Sequence, residues 1–385
     1  MTIKEQADAM QAYMTEIRHD LHKHPELSLH EYRTTDLIAH ELEKEGIKYT
    51  RFDPTGLMCE IKGNKPGNKC IGLRADIDAL PLQETADVPY KSVVEGVMHA
   101  CGHDQHTVML LGAAKILNSR RDEFGGTARC IFQPAEEGMG GADLIIKQGA
   151  ADGCEEFLGM HVWPNYIGTG EIGAYDIMRT AGAIHFRVKV KGRICHGQAP
   201  HLGIDSLMIA SQMITALQTI ISRRMPPLEA VVVSIGKINA GTASNIVAEE
   251  TTFEGTIRYH VKELGEQACS LLRQICTEVA LAFGGSAQVD IDIGVPPMVN
   301  DENLSKVAWR LADKICGGKA PCLHMGDIMG GEDFTAFQNR APGVYVMTGC
   351  GGNAMGHQGD FVAEDGSLPY GAALYAEFAI DRLNQ

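Results

Sequence analysis

The sequence has 385 residues, of which 44% are hydrophobic and 22% charged, as in ordinary globular proteins. This length exceeds what a single core usually supports, so we expect two domains. Lys and Arg total 34 against 49 Asp and Glu, and the net charge of −15 makes nucleic acid and anionic membranes poor partners. The acidic N-terminus, the absence of a transmembrane-length apolar run and eleven scattered Cys predict a cytoplasmic protein with reduced thiols.

The N-terminal segment reads as helical. Residues 5 to 44 have apolar positions every three or four residues, and Pro25 interrupts them, which predicts two helices joined by a turn. Several imidazoles in this segment could suggest a metal site, but they lack a clear acidic or Cys partner at a fixed spacing. We therefore expect surface or structural roles for His19, His22, His24 and His30.

The stretch from Met98 to His106 combines one thiol with three imidazoles. Ala and Gly between them would let the backbone fold tightly around an ion, and a largely apolar helix follows at 108–117. The alternative is a buried, inert Cys among hydrogen-bonded His residues. The residue types favour a metal site at the mouth of a buried helix.

Four strand-like runs end in acids or imidazoles. They cover 69–74, 127–132, 155–160 and 343–348. In an open α/β sheet the ligand crevice lies beyond the carboxyl ends of the strands, so we expect the polar residues there to converge. These residues are Asp78, Cys101, His103, Glu136, Glu137, His161 and His357.

The adjacent residues Glu136 and Glu137 could have two different roles, because neighbouring side chains of an extended segment point to opposite sides. One carboxylate can bind a metal ion while the other accepts a proton from an activated water. The alternative is a solvated acidic turn. Asp78 could orient a ligating His, or it could simply cap the turn after its strand.

The pattern changes from residue 183 onward. Alternating apolar and charged residues predict strands with one solvated face, and the order β-α-β-β-α-β indicates a ferredoxin-like unit. We predict an α/β protein in which this unit is inserted into a doubly wound, mostly parallel-sheet domain. The predicted boundaries are 1–181, 182–295 and 296–385.

The inserted unit has polar residues of its own. The guanidinium of Arg258 suits a substrate carboxylate, and His196 or Asn245 could donate to an oxyanion. All three could equally be ordinary surface residues. Cys195 beside His196 might suggest a thiol nucleophile, but adjacent residues rarely have the geometry of a nucleophile and its base.

The chain resembles the metal-dependent amidohydrolases that include hippurate hydrolase, N-acetyldiaminopimelate deacetylase and the plant hydrolases of auxin-amino-acid conjugates. The resemblance spans nearly the whole chain, and as a set its motifs are highly specific. They are HKHPELSLHEY at 22–32, GLRADIDALPLQE at 72–84, MHACGHDQHTVMLLGAA at 98–114, FQPAEEGMGGA at 132–142, HGQAPH at 196–201, GTIR at 255–258 and GEDF at 331–334.

The resemblance implies two metal ions per subunit, manganese or zinc first and cobalt or nickel as alternatives, and a smaller lid domain that forms a homodimer or a higher oligomer. It implies Glu136 as general base and Asp78 as its supporting acid. The implied metal ligands are Cys101, His103, Glu137, His161 and His357; His196 would reach the partner's active site, and the substrate carboxylate would be held by Asn245 and Arg258.

The implied reaction is hydrolysis of the amide bond in an N-acyl-L-amino acid. A dipeptidase or carboxypeptidase with the same machinery is the alternative enzyme, and a metal-containing binding protein is the alternative from another class. Two departures from the family pattern could alter substrate choice. Ile194 and Cys195 stand where the family usually has Gly-Gly, and Gly359 stands where it often has Pro.

Overall fold

The structure is a computed structural model that describes residues 1–138, 140–164, 167–173, 179–318, 328–352 and 354–385. It divides into two compact units. The first comprises Met1–Met178, Val299–Gly326 and Asp333–Gln385, and the second comprises Arg179–Met298 and Asp327–Glu332. Among the described residues, no helix has both the length and the apolar character needed to cross a bilayer.

Helices and strands account for most of the described chain. The helices are α1 (Ile3–Ala9), α2 (Gln11–Lys23), α3 (Tyr32–Lys44), α4 (His103–Ser119), α5 (Gly141–Ile146), α6 (Ser206–Thr219), α7 (Lys262–Ala282), α8 (Glu302–Ile315), α9 (Thr335–Gln338) and α10 (Leu368–Leu383). The strands are β1 (Tyr49–Arg51), β2 (Leu57–Lys62), β3 (Lys65–Asp76), β4 (Gly125–Gln133), β5 (Glu156–Trp163), β6 (Ile172–Gly173), β7 (Arg179–Thr180), β8 (Gly182–Lys191), β9 (Cys195–His196), β10 (Val231–Ala240), β11 (Ile246–Val247), β12 (Glu250–Tyr259), β13 (Ser286–Ile293), β14 (Met298–Val299) and β15 (Gly343–Gly349).

The first unit is built on a seven-stranded sheet with the order β1-β2-β4-β3-β5-β15-β6. Its four central strands, β4, β3, β5 and β15, are parallel, whereas β1, β2 and β6 pair antiparallel. The sheet is therefore mixed, which corrects the prediction of a mostly parallel sheet. Two residues separate β2 from β3, too few for the crossover that parallel strands require, so β2 runs the other way.

Helix α4 lies at the centre of the first unit. Nearly all of its residues are buried, and it packs against β3, α2 and α10. This is the packing expected of a helix that is apolar on every side. Gly102 is its N-cap residue, so the helix begins at His103, two residues after Cys101.

The second unit contains a four-stranded antiparallel sheet with the order β10-β12-β8-β13. Helices α6 and α7 pack on this sheet, and residues such as Phe253 and Leu272 fill the core between them. Along β8 the buried residues alternate with more exposed ones such as Arg187, as expected for a strand with one solvated face.

Candidate metal centre

The four central strands of the first unit carry the candidate site at their carboxyl ends. Strand β3 ends two residues before Asp78, and β4 ends three residues before Glu136. His161 lies within β5, and a loop after β15 leads to His357. Because these strands are parallel neighbours, the polar residues that the sequence places after them meet at one edge of the sheet.

Two sets of metal-ligating atoms share the thiol of Cys101. Within each set the ligand atoms all lie within 4.8 Å of one another; the sets are Cys101, His103 and His161, and Cys101, Glu137 and His357. The Cys101 Sγ is 3.3 Å from Nε2 of His161, and Nε2 of His357 is 3.2 Å from a carboxylate oxygen of Glu137. The carboxylate of Glu136 groups in the same way with His103 and Glu137. The chain thus brings thiol, imidazole and carboxylate donors together.

Hydrogen bonds determine which ring nitrogen of His103 and which ring nitrogen of His161 can bind a metal ion. In His103, Nδ1 lies 3.0 Å from the backbone oxygen of Asp78 and 3.2 Å from its Oδ1, so Nδ1 carries the proton and donates it. Its Nε2 is buried and has no hydrogen-bond partner among the described residues. In His161, Nδ1 donates to the backbone oxygen of Val162 at 2.6 Å, which leaves the Nε2 lone pair facing Cys101. Both rings are therefore prepared as metal ligands.

Asp78 organises the loop that carries the acidic pair. Its buried carboxylate accepts the backbone N–H of Glu136 and that of Glu137, each at 3.1 Å, and the hydroxyl of Ser28 at 2.7 Å. The same carboxylate contacts His103. The side chain of Asp78 therefore positions His103 on α4 and the acidic pair, Glu136 and Glu137, on the loop. This is a larger role than capping the turn after β3.

Burial and local charge prepare the donor atoms for a cation. Burial lowers the pKa of His161 to about 3, with a further contribution from the neighbouring His106, so the ring is neutral at neutral pH. Burial alone would raise the pKa of Glu137, but His357 and His103 bring it below its usual value. Burial also raises the pKa of the Cys101 thiol well above its usual value. A thiolate at this depth needs a bound cation beside it, so the residues fit a metal centre.

The backbone around the centre adopts conformations that L-residues rarely take. Ala135, just before the acidic pair, has φ 54°, and His357 has φ 64°. The carboxylate of Glu31 accepts the Ala135 N–H at 2.9 Å and a hydroxyl hydrogen bond from Thr55. Glu31 and Ser28 were not among the predicted site residues. Both lie in the motif at 22–32, which carries the family resemblance but to which no site role was assigned.

The three imidazoles of the 98–106 stretch do not act alike. Of the three, only His103 belongs to either of these donor sets, the one with Cys101 and His161. His106 donates from Nδ1 to Asp76 and accepts the backbone N–H of Val162 on Nε2 at 2.9 Å, so it supports β5 beside His161. His99 is buried, and burial lowers its pKa to about 4.

The N-terminal histidines have structural partners from distant segments. His22 is buried and contacts Asp104 through Nδ1 at 2.9 Å and Glu84 through Nε2 at 3.2 Å. His19 contacts Asp365 at 2.8 Å. The structural role expected for these residues is therefore observed for both, although the acids that bind them could not be read from local spacing.

The remaining predicted site residues lie in the second unit. His196 and Asn245 lie beside each other, because β9 pairs with β11 and Gly197 donates its N–H to the backbone oxygen of Asn245 at 2.8 Å. Both residues are exposed. Arg258 lies on β12, half-buried, with its guanidinium next to Gly331.

Comparisons with known proteins agree on one family. The profile of Peptidase family M20/M25/M40 matches residues 72–381. The chain is 36% identical to N-acetylcysteine deacetylase of Bacillus subtilis over 97% of each sequence. It is also 36% identical to thermostable carboxypeptidase 2 of Saccharolobus solfataricus, covering 100% of this chain and 98% of that protein. A crystal structure of a dinuclear metal binding M20 peptidase from Bacillus subtilis superposes with a TM-score of 0.85 at 34% identity, covering 98% and 99% of the two chains.

Proposed function

Because the chain belongs to Peptidase family M20/M25/M40 and is a metal-dependent amidohydrolase, we propose that it hydrolyses the amide bond of N-acyl-L-amino acids. The products are a carboxylic acid and a free amino acid. The observation that carries the proposal is the pair of donor sets sharing Cys101, with the carboxylate of Glu136 alongside. The similarity to an N-acetylcysteine deacetylase supports an acylated amino acid as substrate.

The proposed cofactors are two divalent metal ions, manganese or zinc, with cobalt or nickel as alternatives. Mixed thiol, imidazole and carboxylate donors are suited to such ions. The proposed ligands are Cys101, His103, Glu137, His161 and His357. When bound, the ions supply Lewis-acid chemistry, which acidifies a water molecule and polarises the scissile carbonyl.

Glu136 is the proposed proton carrier of the reaction. Its backbone is held by Asp78, and its carboxylate groups with the donors of His103 and Glu137. In that position it takes a proton from the attacking water and returns it to the nitrogen of the leaving amine. Asp78 is a positioning residue, because it orients the ring of His103 and fixes the backbone of the acidic pair.

The segment 182–295, which lies within the second unit, is the proposed lid and dimerisation domain, with a ferredoxin-like arrangement. Arg258 and Asn245 bind the α-carboxylate of the substrate, and His196 donates to the oxyanion in the partner's active site. The mixture of charge and hydrogen-bond donors supports these roles. A homodimer in the cytoplasm is the proposed form, and the free cysteines of the described chain are consistent with that compartment.

The proposal is tested by measuring free amino acid released from N-acetyl and N-benzoyl amino acids and from dipeptides. Chelated enzyme is assayed with and without added manganese or zinc. We expect metal-dependent release from the acylated amino acids. Release from dipeptides alone would instead support a dipeptidase or carboxypeptidase, the activity named for one relative. No release with any metal would refute the proposed reaction and favour a metal-containing binding protein.

Two neighbouring variants separate proton transfer from metal binding. Glu136→Gln keeps the size of the side chain but removes its basicity, so turnover should collapse while metal content stays unchanged. Glu137→Gln removes a proposed ligand, so metal content should fall together with turnover. If Glu136→Gln retained full turnover, its assignment as the proton carrier would be wrong.

A further inference from the structure

A second group of reactive side chains lies at the opposite end of the central strands. Cys70 is near the start of the regular part of β3, and Cys154 lies two residues before β5. Their Sγ atoms are 3.6 Å apart. The proposed metal ligand on β5, His161, lies towards the other end of that strand. The thiol pair is therefore separate from the metal centre.

The backbone already holds the two cysteines next to each other. The residue after Cys154, Glu155, donates its N–H to the backbone oxygen of Cys70 at 2.9 Å. The parallel register of β3 with β5 then begins with Ile71 opposite Glu156. Because sequence neighbours of both cysteines are fixed in one ladder, the sulfur atoms can meet through side-chain rotation with little movement of the backbone.

Arg129 on β4, which is also ion-paired with Glu60 at 2.6 Å, fixes the turn that leads to Cys154 and places a guanidinium near the thiols. Its guanidinium donates to the backbone oxygens of Gly149, Ala150 and Asp152, the last at 2.7 Å. The hydrogen bond from Cys154, with a smaller contribution from this guanidinium, lowers the pKa of the Cys70 thiol. Cys154 is half-buried and Cys70 is 8% exposed, so Cys154 is the sulfur within reach of solutes.

We propose that Cys70 and Cys154 form a redox-active pair that a hydroperoxide converts into an intrachain disulfide and a dithiol reductant restores. In the first step a sulfur attacks the peroxide, the O–O bond breaks, and a sulfenic acid and an alcohol or water result. The second sulfur then attacks the sulfenic sulfur, and water leaves. The two thiols lose two electrons and two protons in total, which the peroxide accepts.

A second thiol pair in the same sheet provides a matched control. Cys59 and Cys130 stand opposite each other in the β2–β4 ladder, but both are fully buried. Proximity alone would let this pair oxidise as readily as the first. Access from solvent and the nearby guanidinium distinguish the pair of Cys70 and Cys154, so we expect only that pair to react at moderate peroxide.

The experiment treats the metal-loaded full-length enzyme with hydrogen peroxide, alkylates the remaining thiols, and maps non-reduced peptides by mass spectrometry. We expect a Cys70–Cys154 crosslink that forms in most molecules, disappears after dithiothreitol, and leaves Cys59 and Cys130 alkylated. In Cys154→Ser, dimedone should instead label Cys70 as a sulfenic acid. The proposal is overturned if both cysteines remain fully alkylated after the half-buried thiol of Cys195 has oxidised. It is also overturned if the control pair crosslinks to the same extent.

Discussion

Gly102 separates two proposed metal ligands, and the structure indicates that no other residue fits there. Its φ is 92°, in the left-handed region that glycine tolerates and alanine does not. A Cβ atom at this position would lie 2.3 Å from Cγ2 of Val162, whereas carbon atoms in contact are about 3.5–4.0 Å apart. Val162 is fully buried next to His161, so its side chain has little room to move.

Two costs add in Gly102→Ala. Placing an L-residue in the left-handed region costs about 1–2 kcal/mol. Overpacking the buried contact with Val162 costs about 1–3 kcal/mol more, which gives a total of roughly 2–5 kcal/mol. Gly96 is a matched control, because its φ is 71° but a Cβ there meets nothing within 4 Å. Gly96→Ala should therefore lose only the part of the stability that comes from the backbone conformation, about 1–2 kcal/mol.

The assay is urea unfolding of both chelated variants, followed by metal analysis of the reconstituted proteins. We expect the free energy of unfolding of Gly102→Ala to fall about 1–3 kcal/mol below that of Gly96→Ala. We also expect Gly102→Ala alone to lose metal, since the displaced backbone carries Cys101 and His103. Equal losses of stability in the two variants, with full metal content in both, would refute the steric argument.

Three further substitutions test other contacts. Gly331→Ala places a Cβ 3.2 Å from the Arg258 guanidinium. In steady-state kinetics it should raise KM for substrates with a free α-carboxylate more than it lowers kcat. Gly330→Ala is the control, because its Cβ meets its nearest atom at 4.0 Å, and its kinetics should match those of the unchanged enzyme. Asp78→Asn should weaken metal affinity about 10–100-fold in a chelator competition, because the ring of His103 loses its charged partner. Ser28→Ala removes one hydrogen bond to Asp78 and should reduce the free energy of unfolding by about 1 kcal/mol in urea.

Each of these tests has an outcome that counts against its premise. Equal KM values for Gly330→Ala and Gly331→Ala would mean that the position of Arg258 does not matter for the carboxylate. An unchanged affinity for metal in Asp78→Asn would remove the argument that Asp78 prepares His103. A loss well above about 3 kcal/mol in Ser28→Ala would mean that more than one buried hydrogen bond is broken.

Most of the candidate centre could be predicted from the ends of the strands, because neighbouring parallel strands bring their carboxyl ends to one edge of the sheet. Acids and imidazoles that follow buried strands were expected at one edge, and the structure groups Cys101, His103, Glu137, His161 and His357 there. Chain direction at the sheet margins was harder to predict. An apolar run such as the one in β2 has the same pattern in either direction, and its direction depends on the short connection to β3 rather than on the run itself.

The local sequence pattern could not identify hydrogen-bond partners that lie far apart in the chain. His22 looked unpaired because Asp104 and Glu84, which contact it, come from other segments. Likewise Ser28 carries no signal of its own, and it becomes part of the site only because Asp78 lies within hydrogen-bond distance. These contacts depend on packing, and a single sequence contains no direct record of packing.

Backbone strain is the feature of this centre that sequence reasoning could least anticipate. Among the described residues, the non-glycine positions with positive φ are Leu29, Ala135 and His357. His357 is a proposed ligand, Ala135 directly precedes the acidic pair, and Leu29 follows Ser28, which donates to Asp78. Such conformations cost about 1–3 kcal/mol each and persist where the surrounding structure holds them. Glu31 holds the N–H of Ala135, and the backbone oxygen of Ala100 accepts the N–H of His357 at 2.8 Å. The strained backbone therefore lowers the stability of the fold around the metal centre. The hydrogen bonds that hold this backbone in place also fix the directions of the Glu136 and Glu137 carboxylates and of the His357 ring.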